Sequence, residues 1–337
     1  MKFYSIHDIV KVKTNINIEM IPDYFLVDDV GKDFAPDIEV IQENLKSSRH
    51  IEGRTRSGVF FYWKDGSALH IDYNVPLFKV KLIIDDLSGQ TRIRFTKAFR
   101  RFGNINLLCK IILLLKFIQK GYALIHSGSL SYLGRKCILF PAMRDTGKTS
   151  TILSLLDGKK FKFMSDDLTI ISKNGDVYSY PKDVGISPYT LTGKMISHSS
   201  KVKMKLAKSP VVTFLLGRFN KDLCERISIP TWLIEDRGSI EKVFILTGGG
   251  REDIREIDSH TATRKILATT AELLDPFRVY SLNFYSYIFD FDILELFNKE
   301  KEIIEEALND AECFELRAND VKKYPEMIRK ILGETCL

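Results

Sequence analysis

Gly147-Lys148-Thr149, followed along the chain by Asp166-Asp167, are the residues whose types and spacing could do chemistry. A glycine lets the backbone pass close to a phosphate. A lysine amine reaches β- and γ-phosphate oxygens as a point charge, and a threonine hydroxyl completes the shell of a Mg²⁺ ion. The paired carboxylates add metal ligands, or a base that takes a proton from an attacking hydroxyl. These are the two halves of a phosphoryl-transfer site.

Such residues work only if the surrounding elements aim them. The pattern predicts a short apolar strand over 137–140, a tight loop over 141–147, a helix from Lys148, and a second strand ending in Ser165-Asp166-Asp167. In that order the loop's N–H groups and the positive end of the helix dipole converge on one anion. The expected nucleotide contacts are therefore Ala142, Arg144, Asp145, Thr146, Gly147, Lys148, Thr149 and Ser150. Two of these depart from the usual phosphate-loop pattern. That pattern places glycine at 142, and alanine lacks glycine's access to positive φ. Asp145 brings a negative charge that repels phosphate unless it turns outward or caps the helix.

The 337 residues are enough for two domains, and 45% hydrophobic with 28% charged residues is the composition of a globular chain. A formal charge of +6 favours anionic ligands. It is too diffuse to mark a nucleic-acid protein, and no RNA-binding signature or Cys/His zinc spacing accompanies it. Cys109, Cys137, Cys224, Cys313 and Cys336 are odd in number and scattered, which points to reduced thiols and a cytoplasmic setting. The N-terminus lacks the apolar core and cleavage site of a signal peptide. The most apolar run, 105–118, is interrupted by Asn106, Lys110 and Lys116 and is too short to span a bilayer.

Residues 1–95 alternate strand-like runs with turns, including a hairpin through Asp65-Gly66, and form a β-rich N-terminal region. The aromatic run Phe60-Phe61-Tyr62-Trp63 reads as strand core. From Thr96 the pattern becomes helical. Residues 123–128 and 130–136 are expected to form a hairpin feeding the central strand, with His126 closing an apolar run. A further hairpin turns at Asn174-Gly175. Residues 184–210 contain no acid but carry Lys194, Lys201, Lys203, Lys205 and Lys208, which suits either an anion-clamping lid or a solvated basic loop. Strands are expected over 211–216 and 242–247. Arg251, beyond Gly248-Gly249-Gly250, is placed to reach charge developing on a transferring phosphoryl group. The C-terminal part is mostly helical, with a strand at 313–317 and a last helix begun by Asn319-Asp320 and interrupted by Pro325.

His126 before the loop, the loop ending Gly147-Lys148-Thr149 and the Asp166-Asp167 pair together resemble the HPr kinase/phosphorylase and phosphoenolpyruvate carboxykinase-like superfamily. The resemblance covers about residues 122–181, with an echo at 314–317. It implies an α/β (α+β) fold, with a P-loop kinase-like mixed sheet and helices over 96–337 preceded by the β-rich region over 1–95. It also implies ATP or another nucleotide with Mg²⁺, and a hydroxyl-bearing protein, peptide or small-molecule acceptor. On this resemblance Asp166 matches the general base, Asp167 and Thr149 the metal ligands, Lys148 the phosphate clamp, and His126 the histidine before the loop. No signature for binding HPr itself is found. Neither a nucleic acid nor a membrane is an expected partner, and homo-oligomerisation is left open. The expected activity is transfer of a γ-phosphoryl group to a hydroxyl. The alternative is a catalytically weak nucleotide sensor or scaffold.

Overall fold

The computed structural model describes residues 1–28, 30–31, 34–45, 53–54, 60–186, 225–274 and 280–334. These form a mixed α/β protein of two compact units: Met1–Tyr122 with Leu274–Glu300, and Ala123–Leu273 with Lys301–Leu337. Among the described residues, no helix is long and apolar enough to cross a membrane.

The first unit is built on an eight-stranded sheet of β1 (Lys2–Ile6), β2 (Val10–Thr14), β3 (Ile38–Gln42), β4 (Gly53–Arg54), β5 (Phe60–Asp65), β6 (Ala68–Val75), β7 (Phe78–Asp85) and β8 (Thr91–Phe95). Their spatial order is β1-β2-β3-β8-β7-β6-β5-β4. β2, β3 and β8 run parallel. The expected Asp65-Gly66 hairpin joins β5 to β6, with Asp65 opposite Ala68 and Gly66 at φ 58°. Phe60 and Trp63 are buried and Phe61 and Tyr62 half-buried, so burial along β5 does not alternate strictly.

Two helices follow, α1 (Lys97–Phe102) and α2 (Ile105–Gln119). Composition alone placed them with everything downstream of residue 96, but they belong to the first unit. The reason lies in their contacts. The buried Lys116 amine donates to the carbonyls of Leu87 and Gly89, and Lys120 pairs with Asp37 at 2.7 Å. Burial lowers the Lys116 amine to about 8. Three carbonyl-type oxygens, the third being Gln119 Oε1, satisfy its protons.

In the second unit, β9 (Tyr122–Ile125), β10 (Ser127–Tyr132) and β11 (Lys136–Pro141) precede α3 (Lys148–Leu155). β12 (Phe161–Ser165), β13 (Thr169–Ser172) and β14 (Asp176–Tyr178) come next. The short pair β15 (Val184–Ile186) and β16 (Glu225–Ile227) brackets residues 187–224. The basic stretch containing Lys194 to Lys208 and the expected strand 211–216 therefore lie outside the described residues. After β17 (Arg237–Gly248) and β18 (Asp253–Ile257) comes α4 (Ser259–Leu274), whereas α5 (Tyr280–Phe289) and the first part of α6 (Ile293–Ala307) belong to the first unit. The chain closes with β19 (Glu312–Ala318) and α7 (Lys323–Ile331).

The expected hairpin of 123–128 with 130–136 does not form. β10 instead turns at Leu133-Gly134, both at positive φ, and pairs with β11, while β9 lies beside β13 at the far edge. Pro325 does not interrupt the last helix either, because it occupies the first turn of α7, where a missing N–H costs nothing.

β11, β17 and β19 are parallel neighbours, and such strands need cover on both faces. On one face Phe140, Phe244 and Leu316 pack with Ile152 and Leu155 of α3 and with Tyr324 and Ile328 of α7. On the other, Leu139, Val243 and Cys313 pack with Ile266 of α4 and Ile304 of α6. The carboxyl ends of all three strands open at one edge, where Ala142 bridges to Leu246 and Gly248 stands opposite Ala318. In open α/β sheets that edge is where ligands bind.

Candidate functional site

The 142–147 loop leaves the carboxyl end of β11 and enters α3 through Gly147, whose φ of 96° is left-handed. A Cβ there would stand 2.5 Å from Val321 Cγ1, so glycine serves both the backbone angle and the close approach of the α7 side. Thr146 Oγ1 donates to Met143 O at 2.7 Å and Thr151 Oγ1 to Gly147 O at 2.9 Å, which fixes the bend from both sides. No side chain caps α3 and no acid sits in its first turn, so its N-terminus faces the loop uncompensated. Gly147→Ala is expected to destabilise the protein by about 1–3 kcal/mol, read as a lowered urea midpoint. An unchanged midpoint would mean the loop relaxes freely.

The two departures in the loop have plain structural outcomes. Ala142 is buried in a strand-type bridge at negative φ, so glycine's freedom is not needed there. The residue that takes positive φ is Asp145, at 61°, a conformation aspartate tolerates better than most. Its side chain is exposed and does not cap the helix, which is the outward alternative.

Lys148 Nζ is buried and makes no hydrogen bond. Burial lowers its pKa, and the charges of Asp166, Asp167 and Glu272 act against that shift without reversing it. Thr149 Oγ1 donates to Asp166 Oδ2 at 3.0 Å, while Asp166 Oδ1 is buried with no partner. Burial raises the Asp166 carboxyl to about 6, against the opposing pull of Lys148 and the Thr149 hydrogen bond. Ser150 is buried in the first turn of α3.

The acid pair is held by a knot of hydroxyls behind it. Ser129 and Ser165 share a hydrogen bond of 2.8 Å, Ser165 bonds Thr169, and Thr169 Oγ1 donates to Ser127 O at 2.9 Å. These buried groups lock the end of β12 to β10 and fix where Asp166 and Asp167 emerge.

His126 is 3% exposed and is oriented by α4. Its N–H donates to Thr270 Oγ1 at 3.0 Å, and its Nδ1 lies 3.0 Å from Thr269 O. A carbonyl only accepts, so Nδ1 carries the proton and Nε2 presents a lone pair. That lone pair lies 3.6 Å from Asp167 Oδ1. Two acceptors facing one another are stable when a proton, a water or a cation stands between them. Burial, assisted by Lys148, lowers the imidazole to about 4, so it is neutral at pH 7.

The sequence reading missed Thr269, Thr270 and Glu272 of α4. Glu272 accepts from the Arg144 backbone N–H at 3.4 Å and lies 3.5 Å from the Arg144 Nε, placing a carboxylate on the loop itself. Two mid-helix threonines and an acid near a helix end carry no chemical signature, so only the fold brings them here. Arg251, by contrast, is exposed in the turn after β17 and makes no hydrogen bond or ion pair among the described residues, so it is not drawn to the other site residues.

No family model matches the chain, and no curated protein matches it. What the residues can do therefore rests on geometry. Among the described residues, no group of three or more His, Cys, Asp and Glu is arranged to hold a metal ion. That is no obstacle to Mg²⁺ in phosphoryl transfer, since this ion keeps several waters and takes substrate phosphate oxygens with only one or two protein ligands. The Thr149 hydroxyl and the Asp167 carboxylate fit such a set, and the orphaned Asp166 Oδ1 is left to accept a proton. The orphaned Lys148 amine fits a phosphate oxygen.

Proposed function

We propose that this protein is a Mg²⁺-dependent kinase of the HPr kinase/phosphoenolpyruvate carboxykinase-like superfamily, moving the γ-phosphoryl group of a nucleotide to a hydroxyl. The observation that carries this reading is the Lys148 amine, buried without a hydrogen bond at the start of α3 and beside an acid pair with its own orphaned oxygen. A protein does not bury an unsatisfied ammonium for stability, so an anion is the natural partner.

The nucleotide would supply the transferable phosphoryl group, and Mg²⁺ would neutralise its charge. The chain's own residues do the rest. Gly147 and the first turn of α3 orient backbone N–H groups on the phosphates, and Lys148 places its charge there. Thr149 and Asp167 would hold the metal. Asp166, raised to about 6 yet still ionised at pH 7, takes the proton of the acceptor hydroxyl. The Nε2 lone pair of neutral His126, 3.6 Å from Asp167 Oδ1, would hold that carboxylate only through a water or cation between them. Arg251 could assist only by moving from its exposed turn. The acceptor is a protein, peptide or small-molecule hydroxyl. The buried, unpaired Cys109, Cys137 and Cys313 suit a reducing cytoplasm.

A nucleotide sensor is the second reading, favoured by Glu272. A carboxylate on the Arg144 N–H is an internal anion where a phosphate oxygen would dock, and it weakens binding. Calorimetric titration with ATP and ADP, with and without Mg²⁺, is expected to give a dissociation constant between about 1 μM and 1 mM. Binding with slow phosphate release supports the kinase. Binding without turnover supports the sensor, and heatless titrations overturn both.

A further inference from the structure

The hairpin between β6 and β7 carries features that the phosphate site does not use. Its turn is Pro76-Leu77, closed by the pairing of Val75 with Phe78. Leu77 has a φ of 68°, at a position after proline where turns take glycine or asparagine, and its side chain is 100% exposed. A leucine held in that conformation while touching nothing gives the fold no return. Beside it, Phe78 and Phe102 are 48% and 51% exposed, with their rings 5.1 Å apart. Phe102 ends α1, which is fastened next to the hairpin by Thr96 Oγ1 on Lys79 O at 2.6 Å and by the Tyr73–Phe99 ring contact. Three apolar side chains therefore form one convex tip.

The charge around the tip has one sign. Lys79, Lys97, Arg100 and Arg101 are exposed and make no ion pair among the described residues, and the Arg101 guanidinium lies 5.9 Å over the Phe102 ring. The acid of this end of β6, Asp72, is already paired with Lys81 at 2.7 Å. No acidic residue occurs between Asp86 and Asp145.

We propose that this tip docks the first unit on an anionic membrane surface, with Leu77, Phe78 and Phe102 entering the headgroup boundary and the four cations resting on acidic lipids. A projecting apolar point ringed by cations matches a bilayer interface, where side chains of this kind sink about 5–10 Å. Each cation near such a surface raises partitioning roughly fivefold. A protein partner would instead need a concave mate, and a nucleic acid would gain nothing from the fully exposed leucine. The attachment is peripheral, consistent with the absence of a membrane-crossing helix among the described residues.

The test is co-sedimentation of the full chain with phosphatidylcholine vesicles and with vesicles containing about one-third phosphatidylserine, at roughly 0.1 M and 0.5 M salt. Binding is expected only to the anionic vesicles, with loss at the higher salt. Leu77→Gly relaxes the backbone, so it is expected to raise the melting temperature while weakening vesicle binding about tenfold or more. Phe102→Ser is expected to weaken binding similarly, and Arg101→Gln several-fold at low salt. Wild-type binding by Leu77→Gly and Phe102→Ser, equal binding to neutral vesicles, or no vesicle binding overturns the proposal. Capture by a single-stranded RNA oligonucleotide in place of vesicles overturns it too. None of these outcomes depends on nucleotide.

Discussion

Lys148→Met is expected to lose nucleotide binding and to melt at a higher temperature than the parent protein. The two effects share one cause. The Lys148 amine is buried without a hydrogen bond, and burial outweighs the attraction of Asp166, Asp167 and Glu272, so its pKa lies below the ordinary lysine value. A lysine lowered in the folded state is one whose charge the fold disfavours. At pH 7 it is nonetheless charged when unfolded, so keeping it charged inside costs stability. Methionine keeps the length and apolar stem of the side chain and removes the unsatisfied ammonium, for a gain of about 1–3 kcal/mol. The same change removes the positive charge expected to meet the phosphate, and affinity should fall at least about a hundredfold, or 2.7 kcal/mol. Calorimetry and thermal melts on the same sample read both. Undiminished binding would remove Lys148 from the phosphate site. Reduced stability with reduced binding would make the lysine a structural residue instead.

The part of this site that sequence made legible is the part made of neighbours in the chain. Strand, loop and helix over 136–155 follow from an apolar run, a loop ending in glycine and a helix with no breaker, and the structure forms them in that order. The acid pair lies just beyond β12 because the strand Phe161–Ser165, with Phe161, Phe163 and Met164 buried, ends there. What could not be read are contacts that span the chain. His126 is oriented by Thr269 and Thr270, 143 and 144 residues away, and Arg144 meets Glu272 across 128. No local pattern encodes such distances.

The misplaced elements have the same origin. α2 is apolar nearly all round, which says that it is buried but not by what; contacts such as those of Lys116 with Leu87 and Gly89 assign it to the first unit. Strand β9 has the length and composition to pair with β10, yet the turn at Leu133-Gly134 gives β10 a nearer partner in β11. Ala142 looked costly because a motif places glycine there. In the fold its backbone is strand-like, and the positive φ is taken by Asp145 and Gly147. Motif positions encode side-chain chemistry more faithfully than they encode backbone angles.

Asp166→Asn should bind nucleotide as the parent does and lose turnover by about 10²–10⁴-fold, since the amide can still accept from Thr149 but cannot take a proton. In the parent, turnover should rise with pH through about 6, as the carboxyl ionises. Stability supplies a second and independent reading of the same residue. Asp166 is raised from 3.8 to about 6, so as pH falls through that window the folded state takes up a proton first and gains stability. His126 is lowered from 6.5 to about 4, so over nearly the same window the unfolded state is protonated first and stability is lost. Each contribution is on the order of 3 kcal/mol, and the signs oppose. Neither group is a cause of the other's shift, so removing one should expose the other. Asp166→Asn is therefore expected to melt at progressively lower temperature between pH 6.5 and 4, while His126→Gln becomes more stable from pH 6 to 4. Parallel melting profiles for the two variants would mean that the two groups do not titrate as this site requires. Full turnover by Asp166→Asn at any pH would remove it as the base.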